Sequence, residues 1–357
     1  MNFSMRQTIL DRVFSVAPLD SVVMEQARLR QLQLTKPAGS LGRLEDVAIH
    51  MAGITRQSLP EIKQKAVIIM AADHGVAREG VSAYPSDVTA QMVLNFLHGG
   101  AAINVLARSV GAKVIVVDVG VATDLSHLGL VSSKVAPGTA NFMLEQAMTE
   151  TQMLEAIKVG MDVFDEQLKQ GIDLIATGDM GIGNTTASSA ITSVLLQTPA
   201  ALVTGRGTGI NDEQLEHKIQ VIEKAIERNV PNPKDPLDVL MKVGGLEIAG
   251  LVGVIIAAAS RRVPIVVDGF ISGAAALIAV ELNPTVGAYL FAGHVSVERG
   301  HRLILEKLGL FPLLDLQLRL GEGTGAVLAM SIIEAALSTH REMATFSEAG
   351  VSTREEE

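Results

Sequence analysis

Short runs of apolar and β-branched residues recur along the chain at 66–72, 113–119, 173–177, 201–204, 263–268 and 288–292, separated by longer stretches with helical spacing. That alternation predicts a mostly parallel sheet with helical crossovers, an α/β fold. Between the runs, Leu215, Ile219, Ile222 and Ile226 fall on one face of a helix, and Asn211 with Gln214 three residues later forms a capping pattern at its start. Leu44, Val47, Ala48, Met51 and Ile54 make a similar stripe. The first 60 or so residues hold two helical patterns and no strand, and a further helix after Gly325 runs through Met330, Ile333, Glu334 and Leu337. Residues 1–65 together with 335–357 are therefore expected to form a small helical subdomain beside an α/β core at 66–334. The polar end beyond Phe346, closing on Arg354-Glu355-Glu356-Glu357, is expected to fray.

The turns that end the apolar runs are more informative than the runs themselves. They read Ala72-Asp73-His74-Gly75, Val117-Asp118-Val119-Gly120, Thr177-Gly178-Asp179, Thr204-Gly205-Arg206-Gly207, Val267-Asp268-Gly269 and Ala292-Gly293-His294. Any one of them is a tight turn of Asp and Gly. Six together predict a functional rim, because ligands of open α/β sheets bind at the carboxyl ends of the strands.

Composition narrows the class. The chain has 357 residues, 48% hydrophobic but only 3% aromatic, with 33 Gly and no Cys. It contains no disulfide, thiolate metal site or Cys nucleophile, and its core is one of Ala, Val, Ile and Leu layers. The net charge of −10, with no basic run longer than Arg261-Arg262, argues against a nucleic-acid surface. Mean hydropathy is +0.34. Yet the longest uncharged stretch, 180–205, carries Asn184, Thr185, Thr186, Ser188, Ser189 and Thr192, too many polar groups for a bilayer core. The apolar segment 248–260 is too short to span and reads as a buried helix, and Arg6, Asp11 and Arg12 break any secretory signal. A soluble, cytoplasmic protein without membrane contact is expected.

Three segments carry candidate chemistry. In Gly178-Asp179-Met180-Gly181-Ile182-Gly183-Asn184-Thr185-Thr186 a strand gives way to a helix through glycines. The backbone there can approach an anion, with the Thr hydroxyls and first helical amides donating, although a glycine turn capped by Asn184 explains the same residues structurally. It is neither a Walker A loop nor the G-x-G-x-x-G of dinucleotide folds. Thr204-Gly205-Arg206-Gly207-Thr208-Gly209, with Lys218 following at helix spacing, suits a phosphate or carboxylate and suits plain surface solvation equally. In Arg319-Leu320-Gly321-Glu322-Gly323-Thr324-Gly325 a carboxylate stands between glycines just before a helix. The helix dipole is expected to lower its pKa. His74, His294 and His301 read as turn histidines, no metal-ligand spacing occurs, and no metal or other cofactor is expected.

Taken in order, Lys36-Pro37-Ala38-Gly39-Ser40-Leu41-Gly42-Arg43-Leu44-Glu45, Ala72-Asp73-His74-Gly75-Val76, Gly181-Ile182-Gly183-Asn184-Thr185-Thr186, Val243-Gly244-Gly245, Val267-Asp268-Gly269-Phe270 and Arg319 to Gly325 closely resemble the nicotinate-nucleotide:dimethylbenzimidazole phosphoribosyltransferase family. The matches run from about Lys36 to Met343. The resemblance implies a Rossmann-like parallel sheet, a small helical subdomain built from both termini, a homodimer, and a catalytic carboxylate at Glu322. It gives a further role to Asp179, where the family commonly has the longer Glu. It also implies a donor-phosphate site at Gly181, Gly183, Asn184, Thr185, Thr186 and Lys218, and an acceptor site at Tyr84, Pro85 and Gln91.

The implied reaction moves 5-phosphoribosyl from nicotinate mononucleotide to 5,6-dimethylbenzimidazole or a related base, with inversion at C1′, in cobalamin biosynthesis. Its chemistry fits the residues. The leaving pyridinium is already cationic and needs no acid, carboxylates stabilise an oxocarbenium-like transition state, and Glu322 accepts the proton of the incoming base. A donor with one phosphate needs neither Mg²⁺ nor the paired-acid motif of diphosphate-using enzymes, and that motif is missing. Alternatives are a purine or phenolic acceptor, a non-catalytic nucleotide-binding protein, and a nicotinamide-dependent oxidoreductase, the last disfavoured by the missing dinucleotide fingerprint.

Overall fold

A computed structural model describes residues 2–352. The end Arg354-Glu355-Glu356-Glu357 lies outside the described residues. Six parallel strands form one sheet in the order β3-β2-β1-β4-β5-β6. They are β1 (Lys65–Ala72), β2 (Ala112–Gly120), β3 (Leu130–Ser132), β4 (Leu174–Met180), β5 (Ile265–Val267) and β6 (Leu290–Ala292). This is the Rossmann-like order, in which the direction of winding reverses between β1 and β4 and leaves a crevice at their carboxyl ends.

Two corrections to the sequence reading arise here. The run at 201–204 is not a strand: Ala200–Val203 is a short helix with Pro199 at its N-cap. Four residues cannot distinguish a strand from a buried helical turn by periodicity, and a Pro before them favours a helix start. The sheet instead gains β3, a three-residue edge strand beside β2 in a segment with too little apolar pattern to announce itself.

The helices are α1 (Asn2–Phe14), α2 (Ser21–Gln33), α3 (Arg43–Thr55), α4 (Asp87–Leu97), α5 (Ala102–Ser109), α6 (Glu150–Lys169), α7 (Asn184–Leu195), α8 (Ala200–Val203), α9 (Asp212–Asn229), α10 (Pro236–Val243), α11 (Leu246–Ser260), α12 (Phe270–Leu282), α13 (Arg299–Leu308), α14 (Thr324–Glu342) and α15 (Phe346–Ala349). Three helices, rather than two patterns, therefore precede the first strand. The capping box expected at Asn211 and Gln214 is present at the start of α9.

Alternation along β1 sets the layers. Met70 faces Gly250 of α11, while Val67, on the opposite face, meets Gly323 at the start of α14. The apolar segment at 248–260 lies within α11, whose residues from Leu246 to Ala259 are buried on every side. Glycines let α6 cross it closely, since a Cβ on Gly160 would stand 1.8 Å from the Gly250 carbonyl oxygen. The chain ends meet: Leu34 bridges to Thr345, and Arg30 donates to the carbonyls of His340 and Arg341. The stretch Asp87–Ser109 has the length and composition of a membrane span. It is divided into α4 and α5 by a turn at Gly99-Gly100, and Val93, Phe96 and Ile103 are buried in the core.

Candidate active site

The crevice between β1 and β4 is where the fold places its most constrained loop. Asp179 pairs with Met70 at the end of β4, and the chain then turns through Gly181 and Gly183 into α7. A Cβ on Gly181 would lie 2.4 Å from the Ala72 carbonyl oxygen, so the turn can lie against β1 only without a side chain. Gly183 takes φ 99° as the N-cap of α7, a left-handed conformation that disfavours side chains. Asn184 does not cap this helix. Its Nδ2 instead donates to Asp179 Oδ2 at 2.9 Å and fixes that carboxylate.

A second left-handed turn faces the first. Gly321, Glu322 and Gly323 have φ of 82°, 63° and 92°. A non-glycine residue in that region costs about 1 kcal/mol or more, so the Glu322 conformation must be held by its surroundings. Asp268, fully buried at the end of β5, does the holding: its carboxylate accepts the Gly323 and Ala326 amides at 3.2 and 2.9 Å and so caps α14. His294 Nε2 lies 3.5 Å from the same carboxylate. The two loops abut through glycines, since a Cβ on Gly178 would be 2.6 Å from the Glu322 carbonyl oxygen and one on Gly321 would be 3.3 Å from Asp179 Oδ2.

Both carboxylates are therefore buried side by side, and neither behaves as a surface acid. Burial pushes the Asp179 pKa well above the ordinary carboxylate value; Asp268, Glu247 and Glu322 add to the rise, and the Asn184 hydrogen bond opposes it. Burial also raises Glu322, partly offset by the Ile103 N–H, which donates to its Oε2 at 3.3 Å, and reinforced by Asp268. The lowered pKa expected for Glu322 from its helix start is thus reversed, because desolvation and a neighbouring acid outweigh the dipole. Behind the Gly181–Gly183 turn, His74 Nε2 and Glu247 Oε1 are 2.6 Å apart, with both side chains fully buried.

These loops wall a cavity of about 490 Å³. At one end Lys218, itself fully buried, donates to Thr185 Oγ1 at 2.8 Å behind Gly207. Burial lowers its pKa to about 8, with Glu298 opposing the shift. Glu298 accepts the Gly207 N–H, and Arg319 donates to the Gly207 carbonyl. Tyr84, Val88, Met92, Met180 and Ile182 supply an apolar wall. Clefts of about 590 and 620 Å³ lie elsewhere, between α1 and α6 and under residues 309–315, away from the strand ends. Among the described residues no three His, Asp or Glu side chains converge as a metal-ligand group.

Asp179, Glu322 and a glycine loop backed by Lys218 thus meet around one cavity at the switch point of a Rossmann-like sheet. A family model described as "Phosphoribosyltransferase" matches residues 16–351. The chain belongs to this phosphoribosyltransferase family. A protein of Chloroflexus aggregans named nicotinate-nucleotide-dimethylbenzimidazole phosphoribosyltransferase is 61% identical over 342 residues, covering 96% of this chain and 97% of its own. One of the same name from Chloroflexus aurantiacus is 62% identical over 340 residues, covering 95% and 97%. The crystal structure of CobT from Thermus thermophilus superposes with a TM-score of 0.90 at 50% identity, covering 92% of this chain and 99% of that one.

Within this phosphoribosyltransferase the expected site residues divide. Asp179, Gly181, Gly183, Asn184, Thr185, Glu322 and Tyr84 line the cavity. Thr186 is buried beneath it and Lys218 behind it, whereas Pro85 and Gln91 are exposed and do not line it. Of the six turns, those at Asp179, Gly207, Gly269 and His294 reach the cavity. Asp73 and Asp118 instead accept the Ala122 and Val121 amides, at 2.8 Å each, as turn residues. Sequence reasoning missed Glu298, Glu247 and the capping role of Asp268. The first two are lone acids with no local signature, while the Asp268-Gly269 turn was a signal for the third.

Proposed function

We propose that this chain transfers the 5-phosphoribosyl group of nicotinate mononucleotide to 5,6-dimethylbenzimidazole or a related base, releasing nicotinate and giving the α-nucleotide. The observation that carries the reading is the juxtaposition of Glu322 and Asp179 through Gly321 and Gly178 at the β1/β4 crevice, facing the Thr185–Lys218 end of one cavity. The names of the relatives support it. The donor phosphate sits at the Gly181–Thr185 turn with Lys218 behind, which sets C1′ toward the two acids. C1′–N cleavage leaves the ring electron pair on nicotinate, and the oxocarbenium-like centre is stabilised by the buried carboxylates in a low-dielectric site. The base attacks from the opposite face against Tyr84, Val88 and Met92, and Glu322 takes its N–H proton. A raised pKa suits that task, because a general base is most effective when its pKa approaches the working pH.

The same proposal includes a homodimer, for which exposed Phe14, Val22, Leu29 and Leu32 on the N-terminal helices offer apolar surface, and a cytoplasmic setting. A helical subdomain built from both chain ends also belongs to it. The test is Glu322→Gln: kcat is expected to fall by ~10²–10⁴, with the donor KM changed by less than about threefold. A fall in kcat of less than threefold removes Glu322 as the base.

A further inference from the structure

Three carboxylates, Asp179, Glu298 and Glu322, stand on the cavity wall, yet the donor proposed above brings a phosphate carrying roughly two negative charges. That excess of negative charge needs a cation in direct reach. Lys218 is fully buried, bonds to Thr185 Oγ1 and is not part of the wall. Arg319 is on the wall and exposed, the sole Lys or Arg there among the described residues. One guanidinium N–H donates to the Gly207 carbonyl at 3.1 Å, and no carboxylate among the described residues pairs with it. The other side of Gly207 faces Lys218: a Cβ there would be 3.3 Å from Lys218 Nζ and 2.8 Å from Thr185 Oγ1. Arg319 and Lys218 thus flank one residue of the 205–209 loop, and a guanidinium has four further N–H donors to offer once one is used.

We propose that Arg319 is the second cation of the donor-phosphate subsite, anchored by Gly207 and contacting the phosphate directly while Lys218 acts from behind Thr185. This rests on the proposed donor and goes beyond it, since neither the loop glycines nor Lys218 alone accounts for an unpaired guanidinium on the wall. Burial lowers the Lys218 pKa to about 8, so the charge behind Thr185 fades as pH rises past that value.

The test measures competitive inhibition by ribose 5-phosphate and by nicotinate in the full chain turning over nicotinate mononucleotide. Wild-type turnover is the control that separates failure of this inference from failure of the donor assignment. In Arg319→Gln the inhibition constant of ribose 5-phosphate is expected to rise about 10- to 100-fold, the worth of a charge-assisted hydrogen bond, with that of nicotinate unchanged. Arg319→Lys should fall between, keeping the charge but not the fork. A rise confined to nicotinate would put Arg319 on the leaving-group carboxylate and overturn the proposal. Equal rises for both inhibitors, or none, would reduce Arg319 to a loop latch and overturn it as well.

Discussion

Replacing Asp268 by Asn changes one atom at the point from which the Glu322 loop is held, and the structure gives its consequences in sign and size. The carboxylate accepts two amides, Gly323 at 3.2 Å and Ala326 at 2.9 Å, and an Asn side chain can accept only through its single oxygen. One buried N–H loses its partner, which costs about 1.5–3 kcal/mol for a bond to a charged acceptor. Part is recovered because burial raises the Asp268 pKa, so holding it ionised already costs the folded state something. A net loss of about 1–2 kcal/mol, or roughly 1–3 °C in Tm for a chain of this length, is expected. With Glu322 less firmly held in its left-handed turn, kcat should fall ~10- to 100-fold, the usual consequence of a misplacement of about 1 Å. The decisive readout is the pH profile. Asp268 contributes to the raised pKa of both Asp179 and Glu322, so removing its charge lowers both, and the acid limb of kcat should move to lower pH. Thermal unfolding and a pH–rate series at saturating substrates read these effects. A variant with wild-type Tm and an acid limb that stays put or moves upward would refute the reasoning.

Two further predictions concern other parts of the site. Lys218 has its pKa lowered to about 8, so its protonated fraction falls as pH rises through that value; the donor KM should climb above about pH 8, and Lys218→Arg should remove that rise. An unchanged alkaline profile in Lys218→Arg would detach Lys218 from the phosphate. Gly181→Ala would set a Cβ 2.4 Å from the Ala72 carbonyl oxygen, a contact with backbone that cannot yield cheaply. A loss of roughly 1–3 kcal/mol in stability and most of the activity is expected, and a variant that keeps both would contradict the packing described.

Much of this is legible in the sequence, for identifiable reasons. The strands at 66–72 and 113–119 are long, β-branched runs, and their ends fall within a residue or two of the observed ones. The glycines of the 181–183 and 321–325 loops announce a close approach, and the structure finds them where two loops abut. What fails is either short or long-range. Residues 201–204 mislead because four apolar residues fit a helical turn as well as a strand, and β3 escapes notice because its three residues pair only at an edge. The pKa of Glu322 is read with the wrong sign because its own helix start is local, whereas the burial and the Asp268 charge that dominate come from tertiary packing. Pro85 and Gln91, expected at an acceptor site, are exposed and lie off the cavity wall, whereas Val88 and Met92, spaced to face inward from α4, line the cavity. Glu298 and Glu247 meet the site from elements remote in sequence and leave no pattern to read.

The central claim is the transfer itself, and the most direct test is to incubate the purified protein with nicotinate mononucleotide and 5,6-dimethylbenzimidazole and to follow nicotinate release, nucleotide formation and the configuration at C1′ by chromatography and NMR. Equimolar nicotinate and a single nucleotide of α configuration is the predicted result. Nicotinate released without a new nucleotide, a β product, or no turnover while the donor binds would contradict the account.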